Sequence, residues 1–464
     1  MKVKAQIESA AVSGEGEVSV AEDGFTLSTL FDTAFVPWSE VGALAFEDYT
    51  LTVAAAGDAY RISKLGADGE PLYNHMLAAY NDKVRACLFV GGEPAVTASA
   101  NGVPVEVYGD CVVTLPPDLG ARRVPLAFAT GFRDEDYTVT IDVADGSSYA
   151  FSKLGYDTAP FSKAVQEGIK ALREQTIAQI GEIDKAITPQ QSAKVARLMP
   201  LGAAAPMGAV RAVAPTLADA LEERLAQSRA AETYPAFREL CDPDEICVGF
   251  RKVDSRPDFS KYQKDFSEGA LPPSDGSQSD PASPEGEDSN SDFSSGKVFP
   301  GSAGGGLAGM LQGGGMSDII NNVIPREVAE STPDSYILWL IAPVAPGVCA
   351  VEFAGGDDAA AATFVYRYGD AAVSSEAAAA QSATDATGAA AWDAFRLKLN
   401  MALEAIDFKR EVIRLTDEEL REPEYELYRM ASDRNEALRT VRAHFAGRAI
   451  HRSMDSWKKQ LQGL

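Results

Sequence analysis

The sequence has few of the residue patterns on which enzyme active sites depend. Only three of its 464 residues are histidines, namely His75, His444 and His451. No His-Glu-x-x-His zinc motif and no Gly-x-Ser-x-Gly nucleophile turn occurs. The glycine-rich stretch 304–315 follows no strand pattern and lacks a following Lys-Ser/Thr, so it does not indicate a nucleotide loop. We therefore expect no catalytic residues and no cofactor. An enzyme with no recognisable motif is the least favoured alternative.

Cysteines and long apolar stretches are scarce too. The five cysteines are an odd, scattered set that does not resemble a disulfide framework, and they stand at Cys87, Cys111, Cys241, Cys247 and Cys349. The spacing between Cys241 and Cys247 is too wide for a zinc knuckle and no histidine is nearby, so no metal site is predicted. No secretory signal pattern and no run of 18 apolar residues is present. We predict a cytoplasmic protein.

Positive charge is in short supply relative to negative charge. The chain has 42 Lys and Arg against 68 Asp and Glu, a formal net charge of -26. Bulk attraction to nucleic acid is therefore unlikely on electrostatic grounds, and attraction to anionic lipid is disfavoured. Hydrophobic residues make up 45% of the chain, which is enough for two or three cores.

What the sequence does contain is an internal duplication. The letters EDYT occur at Glu47 to Thr50 and again at Glu135 to Thr138. The upstream Val36-Pro37 recurs 88 residues later, and the downstream Ser-Lys-Leu-Gly block recurs after 89 residues. One inserted residue between the two blocks explains the change of offset. The first 180 or so residues are therefore two copies of a unit the size of a small domain.

Each copy has the pattern of several strands followed by one helix. Residues 49–53 and 137–141 alternate apolar and hydroxyl side chains, which is typical of a strand with one buried face. We therefore expect Tyr49 and Tyr137 to point inward from core strands. After each Leu-Gly the period becomes helical, with Leu72, Met76 and Tyr80 on one stripe.

This order of elements, with Val-Pro-Trp in the first copy and Leu-Gly at the end of the last strand, resembles the pleckstrin-homology-like fold in its bacterial PH/GRAM-type form. The resemblance covers about residues 1 to 180 and implies a bent antiparallel barrel closed by a C-terminal helix in each unit. Lipid-binding members carry clustered Lys and Arg in the loop between the first strands. The matching segments here, AAVSGEGEVSV and ASANGVPVEV, contain no basic residue.

The rest of the chain divides by composition. Between 265 and 292 there are eight acidic residues and no basic one, amid Ser, Pro and Gly, which predicts disorder. The fold class is α+β, and the third domain is either a degenerate, split PH-like copy or an unrelated module. The predicted divisions are repeat 1 at 1–92, repeat 2 at 93–182, a helical connector at 183–236, a third domain at 237–258 and 334–408, the insert at 259–333 and charged C-terminal helices at 409–464.

In the C-terminal stretch basic residues outnumber acidic ones, against the balance of the whole chain. From 433 to 459 there are seven Lys or Arg against three acidic residues. On a helix, Arg448, Arg452 and Lys459 would share one face, and Trp457 would lie on a separate apolar stripe. Either the stripe docks on the third domain and the basic face is only solvated, or the basic face contacts an acidic surface, on a partner or on the acidic insert of this chain. These four residues are the possible partner-binding residues.

Two classes of function follow. The first is a non-enzymatic cytoplasmic scaffold whose PH-like units bind a protein or peptide partner. The alternative is a peripheral membrane protein that binds lipid headgroups, and the bare loops disfavour it. No small-molecule substrate is indicated.

Overall fold

Seven strands of repeat 1 form one antiparallel sheet in the computed structural model, which describes residues 1–55, 57–252, 336–354, 362–368, 388–408 and 413–463. The strand order is β4-β3-β2-β1-β7-β6-β5. No described pairing joins β4 to β5, so the sheet is open, and helix α1 follows it. The elements are β1 Lys2–Glu8, β2 Gly14–Val20, β3 Gly24–Thr29, β4 Thr33–Pro37, β5 Val41–Glu47, β6 Thr50–Ala55, β7 Asp58–Ser63 and α1 Gly69–Cys87.

Repeat 2 has the same elements in the same order. Its strands form a four-stranded sheet, β11-β10-β9-β8, and a three-stranded sheet, β12-β13-β14. In repeat 1, strands β1 and β7 pair over three residues, whereas here Asn101 N donates to Ser152 O at 3.1 Å between the corresponding ends. The elements are β8 Val96–Ala100, β9 Val103–Val107, β10 Cys111–Thr114, β11 Arg122–Pro125, β12 Ala129–Glu135, β13 Thr138–Val143, β14 Ser148–Ser152 and α2 Thr158–Ile183.

The repeated EDYT letters form a hairpin turn, so the interpretation of Tyr49 and Tyr137 as inward strand residues was wrong. Asp48 and Tyr49 have φ of 50° and 60°, and Asp136 and Tyr137 have φ of 50° and 57°. Two successive positive φ values are those of a type I′ turn. The tyrosines are 77% and 83% exposed. The predicted alternation holds only beyond the turn, where Leu51 and Val53 are buried.

The end of the last strand behaves as predicted in both copies. Leu65 and Leu154 are buried where the chain leaves β7 and β14 for the helix. On α1, the predicted stripe of Leu72, Met76 and Tyr80 is fully buried. The helical period therefore identified the core face of α1 correctly.

The remaining described strands form a fourth, six-stranded antiparallel sheet. Its order, β15-β16-β17-β18-β19-β20, follows the chain. Four helices precede most of it and helix α7 follows β19. The elements are α3 Pro189–Leu198, β15 Ala205–Pro206, α4 Met207–Val213, α5 Pro215–Ala226, α6 Thr233–Leu240, β16 Cys247–Lys252, β17 Tyr336–Ala345, β18 Val348–Phe353, β19 Ala362–Arg367, α7 Gly388–Ala405 and β20 Phe445–Ile450. The predicted insert at 259–333 lies outside the described residues.

The C-terminal stretch differs from the charged helices that we expected, because strand β20 interrupts it and pairs with β19. Its helices are α8 Glu426–Arg434, α9 Glu436–Ala443 and α10 Met454–Gly463. Helix α8 packs on α1, where buried Arg434 donates to Tyr80 Oη at 3.0 Å. Helix α9 packs on α7. The C-terminal stretch therefore contacts both repeat 1 and the third module.

Buried ion pairs also join the modules. Arg123 of β11 donates through two nitrogens to the two carboxylate oxygens of Glu404 on α7, both at 2.7 Å. Arg85 of α1 pairs in the same two-pronged way with Glu106 of β9, at 2.9 and 2.7 Å. Such pairs fix orientation, because breaking one leaves a charge buried without its partner. Within the described helices, none has both the length and the apolar composition needed to cross a bilayer.

Candidate functional site

One face of repeat 1, between edge strand β5 and helix α1, is covered by a short piece of repeat 2. The backbone N–H of Leu44 donates to Pro117 O at 2.8 Å, and Ala43 forms an antiparallel bridge with Asp118. The Tyr80 hydroxyl of α1 donates to Asp118 O at 3.0 Å. This piece of chain thus contacts both the free edge of the strand and the helix, in the manner of an added strand.

The side chains under that piece are all buried. Leu44 of β5 and Tyr80 and Val84 of α1 belong to one core cluster. Leu88, just after α1, and Leu115, just before the covering prolines, belong to the same cluster. The face of repeat 1 is therefore part of the interior of the protein.

The equivalent face of repeat 2, between β12 and α2, is open. By the repeat offsets of 88 for the strand and 89 for the helix, Phe132 corresponds to Leu44 and Ile169 to Tyr80. Both Phe132 and Ile169 are only half-buried. A groove of about 510 Å³ lies here, which we call the β12–α2 groove, lined by Phe132, Gln166, Ile169, Lys170, Arg173, Glu174 and Ile177.

The strand edge in this groove has the same backbone pattern as its covered counterpart. In repeat 1, Leu44 pairs with Val53 in a register that directs the Leu44 N–H to the free edge, where Pro117 accepts it. In repeat 2, Phe132 pairs with Ile141 in the same register, after a bulge at the same place. The Phe132 N–H therefore faces the open side of β12, an unpaired edge within the described sheet.

The helix side of the groove carries basic residues at two positions that are uncharged in repeat 1, and Glu174 replaces Arg85 at a third. Lys170 replaces Asn81, and Arg173 replaces Val84. Lys170 makes an exposed pair with Glu174 at 3.7 Å, and such a pair constrains neither side chain strongly. Arg173 is exposed and forms no ion pair within the part of the chain that the structure describes. The groove therefore offers a mobile positive charge above an apolar floor.

The positive surface continues into a larger neighbouring cleft. This cleft has a volume of about 1000 Å³ and shares Ile169 and Arg173 with the groove. Its charged lining residues are Arg173, Arg197, Arg396, Lys398, Asp145 and Asp393. The two aspartates are paired with Lys398 and Arg396, at 2.9 and 3.0 Å. The remaining excess of charge is positive, in a chain whose formal net charge is -26.

Contacts within the cleft determine the charge states of Asp145 and Lys398. Burial alone would raise the pKa of Asp145, but hydrogen bonds from Lys398 and the Ser147 backbone outweigh it and lower that pKa. Burial tends to lower the pKa of Lys398, yet its hydrogen bonds to Asp145 and Glu436 raise it. Both groups are therefore charged at neutral pH, and they cancel each other within the cleft.

Hydrogen bonds fix the wall opposite the groove helix. The side-chain amide of buried Asn400, on α7, accepts from Ala204 N at 2.8 Å and donates to Ala204 O at 3.0 Å. Thr176 of α2 accepts from Leu201 N at 3.1 Å. These bonds link three parts of the chain, namely α2, α7 and the segment that follows α3. Contacts within the protein therefore hold the walls of the cleft in place.

The predicted partner-binding residues lie elsewhere and do not share one helical face. Arg448 is exposed on strand β20, Arg452 is exposed in the following loop and Lys459 is exposed on α10. Trp457 is fully buried, and its Nε1 donates to Thr363 Oγ1 at 2.7 Å. The interpretation of a common helical face was wrong, because a strand and a loop hold two of its members. Partner binding by the three basic residues stays a prediction.

The β12–α2 groove was missed in the sequence, although a signal for it exists. Aligned on the repeat offset, the apolar position Val84 of α1 becomes Arg173 in α2. An apolar-to-charged change at an aligned position of two helices indicates that the position is buried in one helix and solvated in the other. The occupant of the buried face has no such signal.

Comparisons with known proteins add no identification. No protein-family model matches the chain, and no curated protein matches it. Among solved structures, the one described as "Structure of the Spt16D Pob3N heterodimer" is 12% identical, over 34% of this chain and 86% of that chain, with a TM-score of 0.16. A likeness at this TM-score carries no argument. The inferences below rest on the chain itself.

Proposed function

We propose that the chain is a non-enzymatic interaction protein with tandem PH-like units, and that repeat 2 binds an extended segment of a partner protein in the β12–α2 groove. The proposal rests on the covered face of repeat 1. There an extended piece of chain, anchored by Leu44 N–H to Pro117 O, occupies the position that is open in repeat 2. Repeat 2 thus has the open groove, and repeat 1 has an extended segment at the equivalent place.

The physical basis of such binding is strand addition. Main-chain hydrogen bonds to a free edge contribute affinity, and pockets beside the edge select side chains. The groove offers both, with the Phe132 N–H at the edge and apolar side chains of Phe132, Ile169 and Ile177 as its floor. A single strand and its flanking side chains form a small interface, so we expect a transient complex.

The proposal is tested with a displayed library of peptides, selected on the full-length chain. Selected peptides are then measured against Ile177→Arg, which places a bulky charge on the groove floor. The matched control is Tyr156→Arg, because Tyr156 is fully exposed and does not line the groove. We expect affinity to fall about tenfold or more with the groove variant, a change of about 1.4 kcal/mol, and to stay unchanged with the control. If no selected peptide responds to Ile177→Arg, the groove is not the binding face.

Binding of lipid headgroups is the second candidate, and one observation favours it. Arg173 and Arg197 are exposed on the rim of the basic cleft and form no ion pair with described residues. Anionic headgroups would meet these two guanidinium groups. Flotation with anionic vesicles separates the candidates: comigration that is lost in Arg173→Ala with Arg197→Ala supports lipid binding, and absence of comigration removes it.

A further inference from the structure

We infer that the ligand of the β12–α2 groove is an acidic, proline-containing extended peptide of a partner protein, related in sequence to the Leu-Pro-Pro-Asp segment that covers repeat 1. This inference rests on the proposed function and specifies its ligand. It depends on the occupant of the homologous face and on the side chains that differ between the two faces.

The first argument is the occupant of repeat 1. The covering segment reads Leu-Pro-Pro-Asp-Leu-Gly from Leu115 to Gly120. Leu115 is buried as an apolar anchor, and Pro117 contributes its carbonyl oxygen to the strand edge. Proline suits this place, because the edge requires an acceptor there and the ring holds the chain extended before binding. A ligand that is already extended loses little conformational entropy on binding.

The second argument is the change in charge from one face to the other. Asp118 lies against the helix of repeat 1, where its backbone oxygen accepts from Tyr80. The residues equivalent to positions 80, 81, 84 and 85 in repeat 2 are Ile169, Lys170, Arg173 and Glu174, and the pair of Lys170 with Glu174 leaves Arg173 as the uncompensated charge among them. A segment lying over α2 as residues 117–118 lie over α1 would therefore place the residues after its second proline beside the Arg173 guanidinium and the exposed Lys170–Glu174 pair.

In the segment that covers repeat 1, the acidic side chain is already bonded within its own turn. The acidic side chain of a separate ligand is available to bond to the groove. In the covering segment, Asp118 Oδ1 accepts from Gly120 N at 2.6 Å. In repeat 2, Lys170 and Arg173 supply an external partner for such a carboxylate. Charges at an exposed rim contribute more to selectivity and association rate than to affinity. The basic pair therefore selects acidic segments from among other proline-containing ones.

The third argument concerns the floor of the groove. Phe132 replaces Leu44 and Ile169 replaces Tyr80, so the floor of repeat 2 lacks the hydroxyl that bonds Asp118 O. Apolar contact and the Phe132 N–H must then hold the ligand. We expect the leucine before the prolines to be needed, because it is the buried anchor of the equivalent segment.

The test uses synthetic, fluorescently labelled peptides and the full chain, with binding followed by anisotropy. Two probes carry natural sequences of this protein: TLPPDLGA from 114–121, and ALPPSDGS from 270–277, a sequence that lies outside the described residues. Matched control peptides replace both prolines by serine, or the aspartate by asparagine. Matched protein variants are Lys170→Asn with Arg173→Val, which give α2 the residues of α1.

We expect both natural probes to bind, and the asparagine peptides to bind about fivefold more weakly, as for loss of an exposed charge contact. That difference should disappear in the Lys170→Asn, Arg173→Val protein and shrink at high salt. Equal binding of aspartate and asparagine peptides overturns the acidic preference, and equal binding of the serine peptides overturns the proline requirement.

Two further outcomes separate this inference from the proposed function. If neither probe binds while library peptides bind in a manner sensitive to Ile177→Arg, the ligand class is wrong and the groove stands. If no peptide of any kind binds, either to the parent chain or after substitution of Leu271, Pro272 and Pro273, both fail. Binding that appears only after Leu271→Ser, Pro272→Gly and Pro273→Ser would overturn the assignment to a partner protein, because it would identify this chain's own sequence as the competitor.

Discussion

Repeat 1 and repeat 2 have the same strands and helix in the same order, yet the same face is interior in one and open in the other. In repeat 1, Tyr80 and Val84 are fully buried, and the Tyr80 hydroxyl donates to Asp118 O. In repeat 2, Ile169 is half-buried and Arg173 is exposed. The fold fixes where an edge strand meets a helix, and a few side chains decide whether that place becomes core or surface. Two copies of one fold can therefore differ in whether this face is buried or exposed.

The largest effect is expected when the equivalent residues of the two helices, Val84 and Arg173, are exchanged. Val84→Arg places a guanidinium in a fully buried position without an acidic partner, and we expect it to lower the free energy of unfolding by about 3–5 kcal/mol. The reciprocal Arg173→Val should change it by less than about 0.5 kcal/mol, since Arg173 is exposed. Urea denaturation of both variants measures the difference. Similar effects in the two repeats would show that the faces are not distinct.

The next effect concerns the ion pair that joins the repeats. Burial alone would raise the pKa of Glu106, but hydrogen bonds from Arg85 and Tyr108 outweigh it and lower that pKa. A lowered folded-state pKa contributes stability above the ordinary glutamate range, and this contribution is lost as pH falls through the folded value. Arg85→Met should therefore cost about 2–3 kcal/mol at pH 7, with the gap to the parent narrowing on acidification below about pH 4.

Repeat 2 provides the control for that pair. Arg133 and Asp142 form an ion pair at 2.7 Å whose side chains are 52% and 28% exposed. Arg133→Met should cost less than about 1 kcal/mol, because solvent screens an exposed pair. The measurement is the free energy of unfolding of Arg85→Met and of Arg133→Met at pH 7 and again below about pH 4. An Arg85→Met effect that does not vary with pH would contradict the role given to Glu106.

A smaller effect is expected at the hydroxyl that seals the covered face. Tyr80→Phe removes the donor to Asp118 O and the acceptor of Arg434, leaving two buried polar groups short of a partner. We expect a loss of about 1–2 kcal/mol, measured by urea denaturation. Tyr49→Phe is the matched control, because Tyr49 is exposed at a turn and should tolerate the change. Equal responses would mean that the Tyr80 hydroxyl contributes nothing to the junction.

The smallest effect is expected at the turn that both repeats share. Tyr49 and Tyr137 occupy the second position of equivalent turns with positive φ, which is unfavourable for a bulky side chain. Tyr49→Gly and Tyr137→Gly should each raise the free energy of unfolding by about 0.5 kcal/mol, through relief of strain partly offset by chain entropy. Thermal melts of the two variants should shift upward alike. A downward shift in one repeat would reveal a contact that only its tyrosine makes.

Sequence patterns identified the duplication, the strands-then-helix order and the buried stripe of α1, because these follow from local periodicity. They failed at EDYT. Period-two alternation places Tyr49 on the face of Leu51 and Val53 only if the strand extends that far, and the positive φ of Asp48 and Tyr49 turns the chain away first. Asp48 suits such a turn, but a tyrosine stands at the next position instead of the usual glycine, so the alternation of the following residues was the stronger pattern.

The groove was beyond prediction for a different reason. Its recognition depends on the contact between Leu44 and Pro117, residues far apart in the chain, and no periodicity marks the second of them. The C-terminal basic residues were misplaced because charge alone does not distinguish a helix from strand β20. That strand is specified by pairing with β19, another contact between distant parts of the chain.

The bond between Arg434 and Tyr80 has a consequence for the timing of folding. Its partners are 354 residues apart in the chain. At about 5–20 residues per second, a ribosome that has made α1 needs roughly 20 to 70 s more to reach Arg434. Throughout that interval the Tyr80 hydroxyl lacks its bond from Arg434, and the surface of α1 that packs against α8 is uncovered. Repeat 1 therefore reaches its final packing only after several further modules of the chain have been synthesised.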